Sequence, residues 1–201
     1  MEQKEGNMVH IKDDQRSRKS AELIREGLER CLQRNSFTEI TVTEIIKESN
    51  VGRATFYRLF DNSCDVLAYQ CDLLAGQLVE QFQNIPSRKQ DFLRFSLDFW
   101  LSHHASLEAV FASNRTDILQ EAMLNHGEYL IRYFGWQEIS QKEMDYFLAT
   151  ATSVLSSMLM VWIKHGKTET AESVYRMYVK AMVLTAKMNA GIIDSRYLVF
   201  G

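Results

Sequence analysis

A single proline, Pro86, occurs in 201 residues, and glycine is scarce at nine. Proline removes a helix hydrogen bond and clashes with the preceding turn, so its near-absence favours long helices. Collagen-like and Pro/Gly-rich classes are excluded. Cysteine is sparse too: Cys31, Cys64 and Cys71 form an odd set with no C-x-x-C spacing. That excludes a disulfide framework. No histidine stands at ligand spacing from any of the three, so neither a metal nor a cofactor is expected. They read as reduced thiols in or near helical cores.

No charge sign dominates, with 23 Lys+Arg against 26 Asp+Glu for a net −3. This excludes a protein that coats nucleic acid by bulk electrostatics, and leaves room for a small, locally basic reading surface. A long apolar run is missing as well. The least polar stretch, residues 147–163, is uncharged for 17 residues but carries Thr150, Thr152, Ser153, Ser156 and Ser157. It falls short of the ~20 apolar residues a membrane span needs and reads as a buried helix. The first fourteen residues are polar and aperiodic, which predicts a disordered tail over 1–14 with no secretory signal. A soluble, cytoplasmic protein is expected.

What is present is helix grammar. The chain is 46% hydrophobic, and its apolar residues recur at helical spacing. Leu23, Ile24, Leu28, Cys31 and Leu32 mark one face of a helix from Gln15 to Asn35, closed by a left-handed Asn35. Thr41-Val42-Thr43-Glu44 is a capping box opening a second helix through Ser49. Asn50-Val51-Gly52 is a tight turn, and a third helix runs from Arg53 to Phe60. Ser63 with Asp65 opens a fourth. Further starts follow at Ser87, Thr116 and Ser140, with Gly135, Gly166 and Gly191 as stops. The pattern predicts an all-α chain of about nine helices, divided at 15–62 and 63–201.

Residues 41–60 have the layout of a helix-turn-helix, whose second helix lies in the major groove. From Gly52 to Phe60 there are two arginines and no acid. The helical period turns Val51, Phe56, Leu59 and Phe60 inward and leaves Arg53, Thr55, Tyr57 and Arg58 outward. Ala54 keeps the surface low enough for the backbone to approach a phosphate. Residues 15–67 hold nine Lys+Arg against eight Asp+Glu, so few phosphates are neutralised and the salt dependence is shallow. The basic groups nevertheless cluster, at Arg16, Arg18 and Lys19 and at Arg53 and Arg58.

The run from Thr41 to Phe60, with its Phe56-Tyr57-x-x-Phe60 ending, resembles the DNA-binding signature of the TetR family of transcriptional regulators. The resemblance is close over about residues 15–67 and elsewhere rests on length and helical layout. It implies that Thr41, Thr43, Arg53, Ala54, Thr55, Tyr57 and Arg58 face double-stranded operator DNA. Tyr57 suits a phosphate, and Arg53 suits bidentate pairing with guanine. Four positions depart from the family pattern. Gly52 replaces a Ser cap, Ala54 and Ser36 replace glycines, and Cys64 stands where a phosphate-contacting Lys is common.

The resemblance also implies a larger helical effector-binding and dimerisation domain, with no catalytic residues. Trp100, His103, Phe111, Met123, His126, Tyr129 and Trp162 are the candidate lining of a cavity for an unknown small molecule; at helical spacing such residues also serve as plain core. His104 and Glu108 can pair at i and i+4. The last two helices, 140–165 and 168–190, are apolar enough to form a helical interface. The family uses them to make a homodimer. The expected function is a ligand-responsive repressor, binding a palindromic operator as a dimer and released by a small molecule that moves the fourth helix. The alternatives are a regulator controlled by a protein partner and a helical enzyme.

Overall fold

A computed structural model of the chain describes residues 14–85, 92–134 and 140–189. Residues 1–13 of the expected tail, Pro86, Ser87, Gly135 and Gly191 lie outside them, whereas Asp14, expected in the tail, is ordered as the cap of the first helix. Among the described residues there are nine α-helices, one 3-10 turn and no strand. The chain is all-α.

Asp14 starts α1 (Gln15–Leu32) by accepting the Ser17 amide at 2.9 Å. Ser17, Ala21, Ile24, Leu28 and Cys31 are its buried stripe. The helix ends earlier than expected. Gln33 is right-handed, the amides of Arg34 and Asn35 both bond back to the Cys31 carbonyl, and Asn35 is not left-handed. The next residues form a 3-10 turn, Phe37–Glu39, with its own capping box at Ser36. This turn buries Phe37.

The capping box of α2 (Val42–Ser49) is present as read: the Glu44 amide donates to Thr41 Oγ1, and Thr41 N–H to Glu44 Oε2 at 2.8 Å. Asn50 closes the helix with φ 52°, the left-handed conformation asparagine tolerates. At Gly27, α1 crosses α2 closely. A Cβ there would lie 2.9 Å from both the Ile45 carbonyl oxygen and Ser49 Cβ. One turn on, Glu48 is gripped by Arg34 Nη1 at 2.9 Å, while Arg30 Nη2 donates to the Glu48 carbonyl at 2.6 Å. Close backbone approach and a charged clamp together set the α1–α2 angle.

α3 (Arg53–Leu59) is followed by α4 (Ser63–Gln83), whose cap is Asn62, one residue before the expected Ser63. Asn62 Oδ1 accepts from the amides of Cys64 and Asp65, and Asp65 Oδ2 accepts from those of Asp61 and Asn62. Then come α5 (Phe92–Ser102), α6 (His104–Ala112), α7 (Thr116–Phe134), α8 (Gln141–Lys164) and α9 (Ala171–Asn189). α4 packs on α1 on one side and on α7 on the other, while α6 lies against the 3-10 turn. The buried side chains of α1–α3 and of the later helices belong to one continuous core.

α8 is not the buried helix its composition suggested. Leu148, Thr152, Leu155, Ser156, Leu159 and Trp162 form a buried stripe, but Tyr146, Phe147 and Val161 are exposed. By length and mean hydropathy of 1.6 it meets the criteria of a membrane span, yet one face is packed within the helical body. Gly166 and Lys167, both at positive φ, turn the chain from α8 into α9. The three cysteines are free thiols, and burial pushes Cys71 up to about 12.

Candidate nucleic-acid interface

The turn between α2 and α3 leaves Gly52 as the α3 N-cap, with no side-chain cap bond. A Cβ there would meet nothing within 4 Å, so nothing in the packing requires glycine. The amides of Thr55 and Phe56 bond to the Gly52 carbonyl and start the helix. Phe56 and Leu59 are buried, and Phe60 packs under the end of the helix. Phe60 stands 5.8 Å from the ring of Tyr69 on α4. These apolar anchors fix the orientation of the outer face.

That outer face carries Arg53, Ala54, Tyr57 and Arg58, all exposed, with Thr55 half-buried. The Arg53 guanidinium lies over the Tyr57 ring at 5.4 Å from its centroid. The Tyr57 ring in turn meets the edge of Phe56 at 5.4 Å. Buried Phe56 thus supports Tyr57, and Tyr57 supports Arg53. At the start of α2, Thr41 and Thr43 are exposed, but the Thr41 hydroxyl is engaged with Glu44 Oε2 at 2.8 Å. The Thr41 amide and hydroxyl hold the Glu44 carboxyl below the ordinary range.

Arg58 sits within electrostatic reach of Asp14, the α1 cap. The Asp14 carboxyl is held low chiefly by the Ser17 amide and hydroxyl, with Arg58 adding to it. Position 64 is half-buried rather than presented to solvent. Burial raises the Cys64 thiol, with Arg115 acting in the opposite direction. Arg115 is itself committed to Asp117 through bonds of 2.7–3.0 Å. Sequence reasoning named the α3 residues but missed the Arg53–Tyr57 stack, although the i, i+4 spacing was there to be read.

The seven candidate lining residues sit in different surroundings. Trp100 is fully buried with its Nε1 lacking a hydrogen-bond partner, and Met123 is nearly buried. Phe111 is half-buried against the core. His103 terminates α5, its Nδ1 2.8 Å from the Phe99 carbonyl oxygen. His126 meets Asp72 across the α4–α7 seam at 3.3 Å. Tyr129 lies on α7, its side chain outside the described residues. Trp162 donates to the Glu169 carbonyl at 2.9 Å. It lines an open groove of about 480 Å³ between α8 and α9, with Met158, Val161, Met177 and Met182. His104 and Glu108 do pair, at 3.3 Å on the surface. Among the described residues, no three His, Cys, Asp or Glu side chains gather as a metal site.

No family model and no curated protein matches the chain. Its fold is similar to the crystal structure of Lin0861 from Listeria innocua. The two superpose with a TM-score of 0.67 over 89% of this chain and 100% of that one, at 20% identity. A likeness at that identity concerns the fold.

Proposed function

We propose that the chain is a DNA-binding transcriptional regulator of the TetR type. It is a cytoplasmic repressor that binds a palindromic operator as a homodimer and is released by a small molecule. One observation carries this reading. α3 is anchored by buried Phe56 and Leu59 and sets Arg53, Tyr57 and Arg58 in solvent on a helix without an acidic residue. In the helix-turn-helix docking mode, that face enters the major groove. Arg53 reads guanine through its paired donors, Tyr57 and Thr43 bind phosphate, and Thr41, Ala54, Thr55 and Arg58 line the approach.

The exposed apolar side chains of α8 and α9 support the dimer. Val161, Met177, Val179, Met182, Val183 and Leu184 are each more than 40% exposed in the single chain. A contiguous apolar surface of this kind marks an interface. A twofold axis through it would set two copies of α3 about 34–36 Å apart, one turn of duplex. A selection of genomic fragments with the purified protein tests the function. Recovery of a palindromic site supports it, and recovery of no preferred sequence contradicts it.

A second form of regulation draws on the burial of Trp100 and Met123 in the core. In that reading, a protein partner takes the place of the small molecule. Protection of the chain by small apolar compounds in thermal unfolding favours the effector, and its absence favours the partner.

A further inference from the structure

α4 packs both on α1 of the reading head and on α7 of the body, so the contacts that fasten it to α7 bear on how the head is held. At the centre of that seam, His126 Nε2 lies 3.3 Å from Asp72 Oδ1, and Asn125 Nδ2 donates to the same oxygen at 3.0 Å. The seat for the imidazole is shaped for it. One turn further along α4, Gly76 lies beneath the ring, and a Cβ there would come within 3.1 Å of His126 Cε1. His126 Nε2 is shielded from solvent and has no aligned hydrogen bond. Its attraction to Asp72 is strongest when the ring is protonated, because charge then adds to the N–H···O contact.

The pair is also close to the head. Tyr69, three residues before Asp72 and on the same side of α4, holds the Phe60 ring at the end of α3. Tyr69 also feels Glu22, Arg25 and Arg18 of α1. The line from His126 through Asp72 and Tyr69 to Phe60 thus spans α7, α4 and α3 in about one turn of α4.

We propose that His126 is a pH-sensitive positioning residue: its protonated ring clamps Asp72 and holds α4 against α7, and its deprotonation releases α4 one turn from the reading head. This rests on the regulator reading for its consequence at DNA, but not for the clamp itself. Among the described residues, Asp72 is the charged group that acts on the ring. On α8, Leu148 faces Gly127 of α7, while Glu143 and Asp145 nearby are bound to Ser140 and Gln141. On α6, Glu108 is taken by Lys167 and His104. On α7 itself, Asp117 is held by Arg115, and Glu121 is exposed.

The sign follows from the two partners. Asp72 raises His126 above the ordinary imidazole value against the opposing effect of burial. Burial works against Asp72 as well, but His126 and Asn125 bring its carboxyl below the usual range. A group whose folded pKa is raised gives its full contribution below its unfolded value, near 6.5, and loses it as pH climbs through the folded one. The clamp is closed at pH 6 and opens as pH climbs through the raised folded value. A fixed head enters DNA with less ordering to do, so closure favours binding.

The test uses the full chain, wild type against Asp72→Asn and His126→Gln, at pH 6.0 and 8.5. In the first arm, hydrogen exchange of the α4 amides between Tyr69 and Gly76 is compared at each pH. These amides are expected to exchange about two- to fivefold more slowly in wild type than in either variant at pH 6.0, and equally at 8.5; that is the size a half-exposed ion pair supplies. In the second arm, affinity for the duplex recovered by genomic selection is measured by anisotropy. Between the two pH values it should fall about two- to fivefold more steeply in wild type than in the variants. Equal exchange at pH 6.0 overturns the clamp. Slower exchange with identical pH profiles at DNA overturns the coupling to the head. Absence of any selected duplex sinks the regulator reading, and the exchange arm still decides the clamp.

Discussion

The guanidinium of Arg53 rests over the ring of Tyr57, 5.4 Å from its centroid, on the exposed face of α3. A cation held over an aromatic face is worth about 0.5–1 kcal/mol at an exposed site, enough to bias the rotamer of Arg53 before DNA arrives. Tyr57→Phe keeps the platform and removes the hydroxyl, so affinity should drop by a similar factor on the selected site and on scrambled DNA. Tyr57→Ala also removes the platform and should narrow the ratio between the two. Anisotropy titrations with both duplexes check this, and an unchanged ratio for Tyr57→Ala would count against the stack.

Gly27→Ala should destabilise the head. The added methyl would lie 2.9 Å from the Ile45 carbonyl oxygen and Ser49 Cβ, on a backbone that cannot rotate away. Overpacking of this kind typically costs about 1–3 kcal/mol. Urea unfolding at neutral pH measures it, and a midpoint equal to that of wild type would show that α1 and α2 separate without strain.

Thr41→Ala removes one half of the α2 capping box. Loss of such a cap costs about 1 kcal/mol in neutral solution. The Glu44 carboxyl is held below its ordinary value by Thr41, so its contribution is present above the usual carboxylate pKa and lost as pH falls through the depressed one. The gap between wild type and Thr41→Ala should therefore narrow between pH 7 and pH 3. Denaturant midpoints at the two pH values decide, and a constant gap would refute the link.

Val161→Glu and Met182→Glu each place a charge on the exposed apolar groove of α8 and α9. Both positions are open in the single chain, so the helix content should persist. Sedimentation should find a dimer for wild type and a monomer for either variant. The same mass for all three proteins would remove the dimer from the account.

Much of this architecture was legible because helix ends are local. The Thr41–Glu44 and Ser140–Glu143 boxes, the turn at Asn50 and the Gly166 stop depend on residues within a few positions of one another. The reading failed where two local signals compete. Asn62 and Ser63 are both good caps, and the side-chain bonds select Asn62. After α1, Asn35 invited a left-handed close, but the 3-10 turn begun by Ser36 took the chain first. The face of α3 was largely legible from its period: Phe56, Leu59 and Phe60 are buried and Arg53, Tyr57 and Arg58 exposed, whereas Val51 and Thr55 are half-buried. Contacts between distant segments were not legible. Asp72 and Asn125 are 53 positions apart, and only the packing of α4 on α7 brings them together. The burial of α8 was overstated because composition does not reveal which side of an apolar helix has a neighbour.

Base reading by Arg53 on α3 is the step on which the proposed function turns. The most direct measurement is the affinity of wild type and Arg53→Ala for the selected duplex and for random duplex of equal length, at one salt concentration. The account predicts a loss of about 1–3 kcal/mol on the selected duplex, the discrimination one bidentate arginine provides, and a much smaller loss on random DNA. Equal losses on the two duplexes would contradict it, reducing Arg53 to a phosphate contact.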